Sequence, residues 1–137
     1  MRPLLLLAVL AAAAALGTQA LAAQRRDATP AIAWKTAKLG LILTTKRHLA
    51  LYTWRREAKG TVRCTGACAK AWPPLLVPRG TMLAKHVMHV MGTFGTIRRP
   101  DGRTQVTIDG HPLYTFADDS PTKILCNGVD GWYVRKA

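Results

Sequence analysis

The stretch LYTWRREAKGTVRC, residues 51–64, recurs as LYTFADDSPTKILC at residues 113–126, displaced by 62 positions. In this register tyrosine meets tyrosine, aromatic meets aromatic, acid meets acid and cysteine meets cysteine. Agreement of so many residue types at one displacement indicates an internal duplication and argues against a chance match. Because a lone two-stranded unit cannot bury its apolar face, the duplication predicts two copies that cover each other.

The match extends to both sides of this stretch. Downstream, Trp72 corresponds to Trp132 when two residues are deleted. Upstream, GLI at residues 40–42 matches GTI at residues 95–97 at a smaller offset, which predicts a longer hairpin in the second unit. We therefore predict two antiparallel strand-turn-strand units related by a pseudo-twofold axis. The predicted repeats span about residues 38–76 and 92–135.

Hydrophobic patterning predicts a mainly β fold, with both units packed as one small domain over residues 38–137. Asp109-Gly110 is typical of a two-residue hairpin turn. The block CTGACAKAW, residues 64–72, contains good helix formers and predicts one short helix, which Pro73-Pro74 would end. Residues 81–91 (TMLAKHVMHVM) fit a helix or a buried strand equally, and we expect a loop with a helix there.

The N-terminal segment is typical of a secretory signal peptide, with Arg2, an apolar run over residues 3–16 and then small residues. Ala20 and Ala22 form an Ala-x-Ala site, so we expect a signal peptide over residues 1–22. An uncleaved membrane anchor is the alternative, because residues 3–23 together are just about long enough to span a bilayer. Residues 23–37 are expected to form a flexible lead-in. No cysteine directly follows the cleavage region, so we expect an exported, soluble protein without a lipid anchor or a transmembrane segment.

The charge balance is strongly basic, with 20 Lys and Arg against 7 Asp and Glu and a formal net charge of +13. Such a surface attracts polyanions, and salt weakens the attraction. No helix-turn-helix, zinc-finger or RNA-binding signature accompanies the charge, so no specific nucleic-acid partner is expected. An anionic cell-envelope polymer or a membrane surface is the favoured partner. No hydrolase motif occurs, and 137 residues exclude a multi-domain enzyme.

The three cysteines leave the disulfide pairing open. Cys64 pairs either with Cys68, which closes a small ring, or with Cys126, which ties the two copies together. Thiol-disulfide enzymes use a Cys-x-x-Cys motif, whereas three residues separate Cys64 from Cys68 here. This spacing argues against a redox enzyme, and we keep an extracytoplasmic redox role only as the alternative function.

A compact His-x-Met-His-x-Met array is formed by His86, Met88, His89 and Met91. Thioether and imidazole groups are ligands suited to copper. Methionines beside valines are more often core filler. We expect no cofactor, and copper is the alternative.

The acids Glu57 and Asp119 each follow an aromatic by three residues, at the end of a predicted strand. There we expect them to accept hydrogen bonds from turn amides or from a tyrosine hydroxyl. Glycosidase-like carboxylate chemistry is the alternative, which depends on a separation that the sequence does not fix.

Two motifs and one block carry a family resemblance: Tyr52-x-Trp54-x-x-Glu57, Tyr114-x-Phe116-x-x-Asp119 and CTGACAKAWPPL at residues 64–75. They resemble the secreted-repeat family of unknown function, predicted lipoproteins with a Y-x-[FWY]-x-x-D motif. The resemblance covers about residues 38–134. The residues it singles out are Tyr52, Trp54, Glu57, Trp72, Tyr114, Phe116, Asp119 and Trp132.

The resemblance implies an exported bacterial protein and a Cys64–Cys68 disulfide, because the family block carries both cysteines. This chain departs from the family pattern in having Glu57 in place of Asp, no lipidated cysteine, and the additional Cys126. The expected function is a noncatalytic, envelope-associated binding or scaffold domain. Extracytoplasmic redox or copper handling is the alternative.

Overall fold

The computed structural model describes residues 27–137, which form a mainly β structure with one short helix, as predicted. The predicted signal peptide and its cleavage site after Ala22 lie outside the described residues. The elements in chain order are β1 (Ile32–Thr36), β2 (Gly40–Thr44), β3 (Tyr52–Trp54), α1 (Ala67–Ala71), β4 (Leu76–Val77), β5 (Phe94–Arg98), β6 (Thr104–Ile108), β7 (His111–Pro112) and β8 (Trp132–Val134).

The folded part begins earlier than the sequence predicted. Strand β1 lies within the expected flexible lead-in and pairs antiparallel with β2 along its whole length. Ala31 is fully buried, and the Ala28 N–H donates to the Met82 carbonyl at 2.8 Å. The prediction of a flexible lead-in is therefore wrong for this stretch. Pro30 precedes the strand and removes no ladder hydrogen bond from it.

Each repeat begins with an antiparallel hairpin, β1–β2 in the first and β5–β6 in the second. Ile32 pairs with Thr44 as Gly95 pairs with Thr107, so equivalent positions differ by 63 residues. The predicted match of GLI with GTI is wrong, because GLI lies in β2 whereas GTI lies in β5. The predicted longer hairpin in the second unit is wrong for the same reason.

The two repeats meet at Tyr52 and Tyr114. Each tyrosine N–H donates to the carbonyl of the other, at 2.8 Å from Tyr52 and 3.0 Å from Tyr114. Two residues that exchange both backbone bonds form the symmetric unit of an antiparallel ladder, so the pseudo-twofold axis passes between them.

The repeats also exchange their last strands. Leu76 of the first repeat pairs in β4 with Gln105 of β6, and Lys136 of the second repeat bridges Ile42 of β2. Strand β8 likewise pairs with β3 of the first repeat. Neither repeat therefore completes its sheet alone.

Two apolar clusters lie on opposite sides of the central strands. Tyr52 and Tyr114 belong to an aromatic cluster, while their neighbours Leu51 and Leu113 belong to an aliphatic one. This division follows from the alternation of side chains along a strand. All four of these residues are fully buried.

The Asp109-Gly110 turn is present as predicted. Both residues have positive φ, 50° and 81°, which a type I′ turn requires, and the flanking residues Ile108 and His111 pair in the ladder.

The connector over residues 81–91 contains no helix, so the helical part of that prediction is wrong. Val87 and Val90 pack against the aliphatic cluster, and the Val90 N–H donates to the Val87 carbonyl at 3.0 Å. Between them His89 has a φ of 61°, a left-handed conformation that a right-handed helix does not continue. The i, i+3 valine spacing therefore arises from a turn.

Candidate functional site

The motif tyrosines and acids bond across the two repeats. The Tyr52 hydroxyl donates to Asp119 Oδ2 at 2.6 Å, and the Tyr114 hydroxyl donates to Glu57 Oε1 at 2.7 Å. Each tyrosine therefore binds the acid of the other repeat. The motif spacing places the acid beyond the strand end, where it reaches the partner copy.

The same carboxylates hold the turns that follow them. Glu57 Oε1 accepts the N–H groups of Arg63 and Cys64 at 2.8 and 3.0 Å, and Asp119 Oδ1 accepts the Leu125 N–H at 2.9 Å. The structure thus contains both kinds of bond expected of the acids. These contacts fix the turns and support a structural role for both carboxylates.

Burial governs the ionisation of this network. Burial, reinforced by the carboxylate that each hydroxyl contacts, raises the pKa of Tyr52 and of Tyr114 well above the ordinary tyrosine value. Burial also raises the pKa of Asp119, against the lowering effect of its bond from Tyr52. The tyrosines therefore act as hydrogen-bond donors that keep their protons at neutral pH.

The remaining motif aromatics form a column of four rings through the core. Trp72 and Trp132 stack at its centre, with centroids 3.9 Å apart and an interplanar angle of 7°. Phe116 packs on Trp72 at 4.6 Å, and Trp54 stacks on Trp132 at 5.0 Å. Each outer ring contacts the tryptophan of the other repeat. The column therefore forms the packing interface between the copies.

The cysteines show how the copies diverged. Cys64 and Cys68 form the disulfide that the family resemblance implied, with a Cα–Cα distance of 5.2 Å. Cys126, the counterpart of Cys64, is free. The second repeat is two residues shorter before Trp132 and carries no counterpart of Cys68. Burial, followed by the charge of Asp119, raises the pKa of the Cys126 thiol, which is the reverse of what a reactive thiolate needs.

The His-Met array lies on the surface of the connector. Met88 and Met91 are 79% and 78% exposed, and His86 and His89 are exposed as well. The methionines are therefore not core filler. Within residues 27–137 no three His, Cys, Asp or Glu side chains are placed to hold a metal ion, so a metal at this array would need the thioethers.

A cleft of about 270 Å³ opens beside β3, β7 and β8. Its lining residues are Thr53, Trp54, Arg55, Glu57, Ile108, His111, Tyr133 and Arg135. The Arg55 guanidinium lies over the Tyr133 ring at 4.7 Å. Arg135 Nη2 donates to Asp109 Oδ2 at 2.9 Å, which orients that guanidinium. We call this site the cationic cleft.

The cationic cleft was not among the sequence predictions. Its residues come from separate elements, and none except Trp54 and Glu57 belongs to a motif. The sequence signal that identifies the cleft is a difference in residue type between equivalent positions of the two repeats. The counterparts of Arg55, His111 and Arg135 in the other repeat are Ala117, Leu49 and Leu75.

A second, larger groove of about 700 Å³ lies between the β1–β2 turn and residues 121–127. Trp34 lines it and stacks on His48 with centroids 3.6 Å apart. Three lysines, Lys35, Lys38 and Lys123, lie at this groove. Its surface is therefore apolar with a cationic margin.

No helix within residues 27–137 is both long and apolar enough to cross a membrane. Neither the curated proteins nor the solved structures contain a match to this chain. A family model does match, in two copies, over residues 33–76 and 95–136. Both matched segments start within the first strand of a repeat hairpin. They end at Leu76 of β4 and at Lys136, the residues that pair with Gln105 and Ile42 of the other repeat. The two matches together cover more than half of the sequence, and the chain belongs to the family described as a secreted repeat of unknown function.

Proposed function

We propose that this protein is a noncatalytic, exported domain that binds anionic polymers of the cell envelope. The observation that carries the proposal is the scarcity of partners for its cations. Among residues 27–137, Arg99, Arg103 and Arg135 are the cations that pair with a carboxylate. The other lysines and arginines of that region make no ion pair within it.

Four of the seven acids already bond to groups of the fold, which supports the same proposal. Asp101 and Asp109 form the ion pairs, while Glu57 and Asp119 accept hydrogen bonds from the tyrosines and the turns. Residues 27–137 hold 17 Lys and Arg against 7 Asp and Glu, a net charge of +10, and most of these cations are exposed. A polymer with many negative groups engages several such cations at once, and the attraction falls as salt screens it.

Retention on immobilised polymers tests the proposal. The mature protein is applied at low salt to polyglutamate, to polyphosphate and to neutral dextran, and is eluted with a salt gradient. We expect retention on both anionic polymers and none on dextran. Equal elution from all three would overturn the proposal. Binding to phosphatidylglycerol vesicles without retention on either polymer would overturn it in favour of a membrane surface.

Copper binding at the His-Met array is the second candidate function. The exposure of Met88 and Met91 favours it, because exposed thioethers beside imidazoles are open to a soft metal ion. Competition for Cu(I) with bicinchoninate measures the affinity. Met88→Leu and Met91→Leu should weaken binding, whereas Met82→Leu, at an exposed methionine outside the array, should not. Equal affinities in all variants would contradict this candidate.

A further inference from the structure

The cationic cleft is one of two equivalent places in a duplicated fold, and only one of them carries the charges. Arg135 and Leu75 occupy the same backbone position, since their N–H groups donate to Leu51 and Leu113, respectively, at 2.8 and 2.9 Å. Arg55 and Ala117 match in the same register as the motif tyrosines. Because the other repeat builds the same backbone with alanine and leucine, folding does not require these cations.

The polar groups of the cleft have unused bonding capacity. Glu57 Oε2 and Arg135 Nε are buried atoms without a hydrogen-bond partner in the described part of the chain. Glu57 is 3% exposed and Arg135 is partly exposed. A buried polar atom without a partner destabilises a protein. Both residues line the cleft, so a polar ligand there would lie next to groups with bonding capacity to spare.

The side chains of the cleft define the chemistry of that ligand. The Arg55 guanidinium makes no ion pair within residues 27–137, and the Arg135 guanidinium donates from Nη2 to Asp109 but has no partner at Nε. Guanidinium groups suit a carboxylate or phosphate oxyanion. The Glu57 carboxylate accepts hydrogen bonds and suits a hydroxyl group. Trp54 and Tyr133 add aromatic walls with an apolar body and a polar edge. Oxyanion, hydroxyl groups and an apolar face occur together on an acidic sugar.

The volume limits the size of the ligand. At about 270 Å³, the cleft is smaller than the roughly 300–1,000 Å³ of pockets that take drug-sized molecules. It therefore accommodates one sugar unit and not several.

We infer that the cationic cleft is a binding site for a single sugar unit that carries a carboxylate or a phosphate. This inference rests on the proposed function, and it names the group of the envelope polymer that is recognised. Arg55 and Arg135 bind the oxyanion, and Glu57 accepts a sugar hydroxyl.

Titration with small probes tests the inference at physiological salt, where diffuse charge attraction is screened. The probes are galacturonic acid and galactose 6-phosphate, with galactose and inorganic phosphate as references. Amide chemical shifts in NMR report both the affinity and the location. We expect saturable binding of at least one acidic sugar, with shifts at β3, β7 and β8. Its affinity should exceed that for galactose and for phosphate, and whichever probe binds identifies a carboxylate or a phosphate source.

Three variants distinguish binding at the cleft from general attraction to a positively charged surface. Arg55→Ala and Arg135→Leu each copy the residue of the other repeat and should weaken binding about tenfold. Arg47→Ala removes an exposed cation outside the cleft and should leave the affinity unchanged. Unfolding midpoints establish that each variant is folded. If Arg135→Leu fails to fold, Arg55→Ala, at an exposed side chain, carries the test.

Several outcomes would overturn the inference. The inference is wrong if neither acidic sugar binds saturably, or if all three variants weaken binding equally. It is also wrong if inorganic phosphate binds as tightly as the sugar phosphate. If the anionic polymers still retain the protein, the proposed function survives and the cleft is not its recognition site. If the anionic polymers also fail to retain the protein, both the inference and the proposed function are wrong.

Discussion

Tyr52 and Tyr114 bond to each other through both main chains, and their hydroxyls reach acids on opposite repeats, at 2.6 Å to Asp119 and 2.7 Å to Glu57. The family motif is thus an interlock between two copies. A single copy holds a tyrosine without its acid and an acid without its tyrosine. This explains why the spacing of tyrosine and acid occurs twice in one chain.

Removing either tyrosine hydroxyl should destabilise the protein, and Tyr114→Phe should do so more than Tyr52→Phe. Glu57 is buried whereas Asp119 is half-buried, so the loss at Glu57 is less compensated by water. We expect a loss of about 1.5–3 kcal/mol for Tyr114→Phe, as for other hydrogen bonds to charged groups. Urea unfolding of the two variants measures the order, and the reverse order would contradict it.

Stability should fall in alkali because of the same tyrosines. Their pKa values are raised by burial, so the folded state keeps protons that the unfolded chain releases above the ordinary value of about 10. Their contribution is complete below that pH and decreases as the pH rises above it. Replacing both with phenylalanine should flatten the pH dependence of unfolding there. An unchanged slope would show that the tyrosines ionise without unfolding.

The centre of the aromatic column should be the most sensitive place in the core. Trp72→Ala removes a ring that is 8% exposed and stacked on Trp132, so we expect a loss of about 3–5 kcal/mol. Trp34→Ala provides the control, because Trp34 is 41% exposed. Its loss should be well below that of Trp72→Ala in the same unfolding assay. Similar losses would contradict the central role of the column.

The three cysteines should differ in reactivity. The Cys126 thiol has a raised pKa, so its thiolate fraction at neutral pH is small and alkylation by iodoacetamide should be slow. Mass spectrometry should find one modified cysteine after long exposure, and three after reduction in denaturant. Rapid modification of the native protein would indicate an activated thiol and would favour a redox function.

The match between residues 51–57 and 113–119 was predictable because equivalent positions in the two repeats carry the same types of residue. Tyrosine, aromatic and acid repeat at one displacement since each must satisfy the same contact on the opposite copy. The hairpins were not predictable in this way. Strands β2 and β6 are equivalent in backbone pairing and carry different side chains, so the matching letters of GLI and GTI aligned the wrong strands.

The connector and the cleft escaped prediction for other physical reasons. Val87 and Val90 have the spacing of a helix face, but a turn with left-handed His89 produces the same spacing. The cleft unites Arg55 and Arg135, which lie far apart in sequence and share no pattern. Such a site becomes visible once the two copies can be superposed position by position.

Strand β2 obtains the rest of its second neighbour only when residues 135–137 have been synthesised, because the Leu43 N–H donates to the Arg135 carbonyl and the Ala137 N–H to the Leu41 carbonyl. The first half of the chain therefore has no finished structure to adopt during its own synthesis. Folding dominated by such distant pairings is slow. We therefore expect the nascent polypeptide to complete its sheets only after synthesis, which suits a protein of a secreted family.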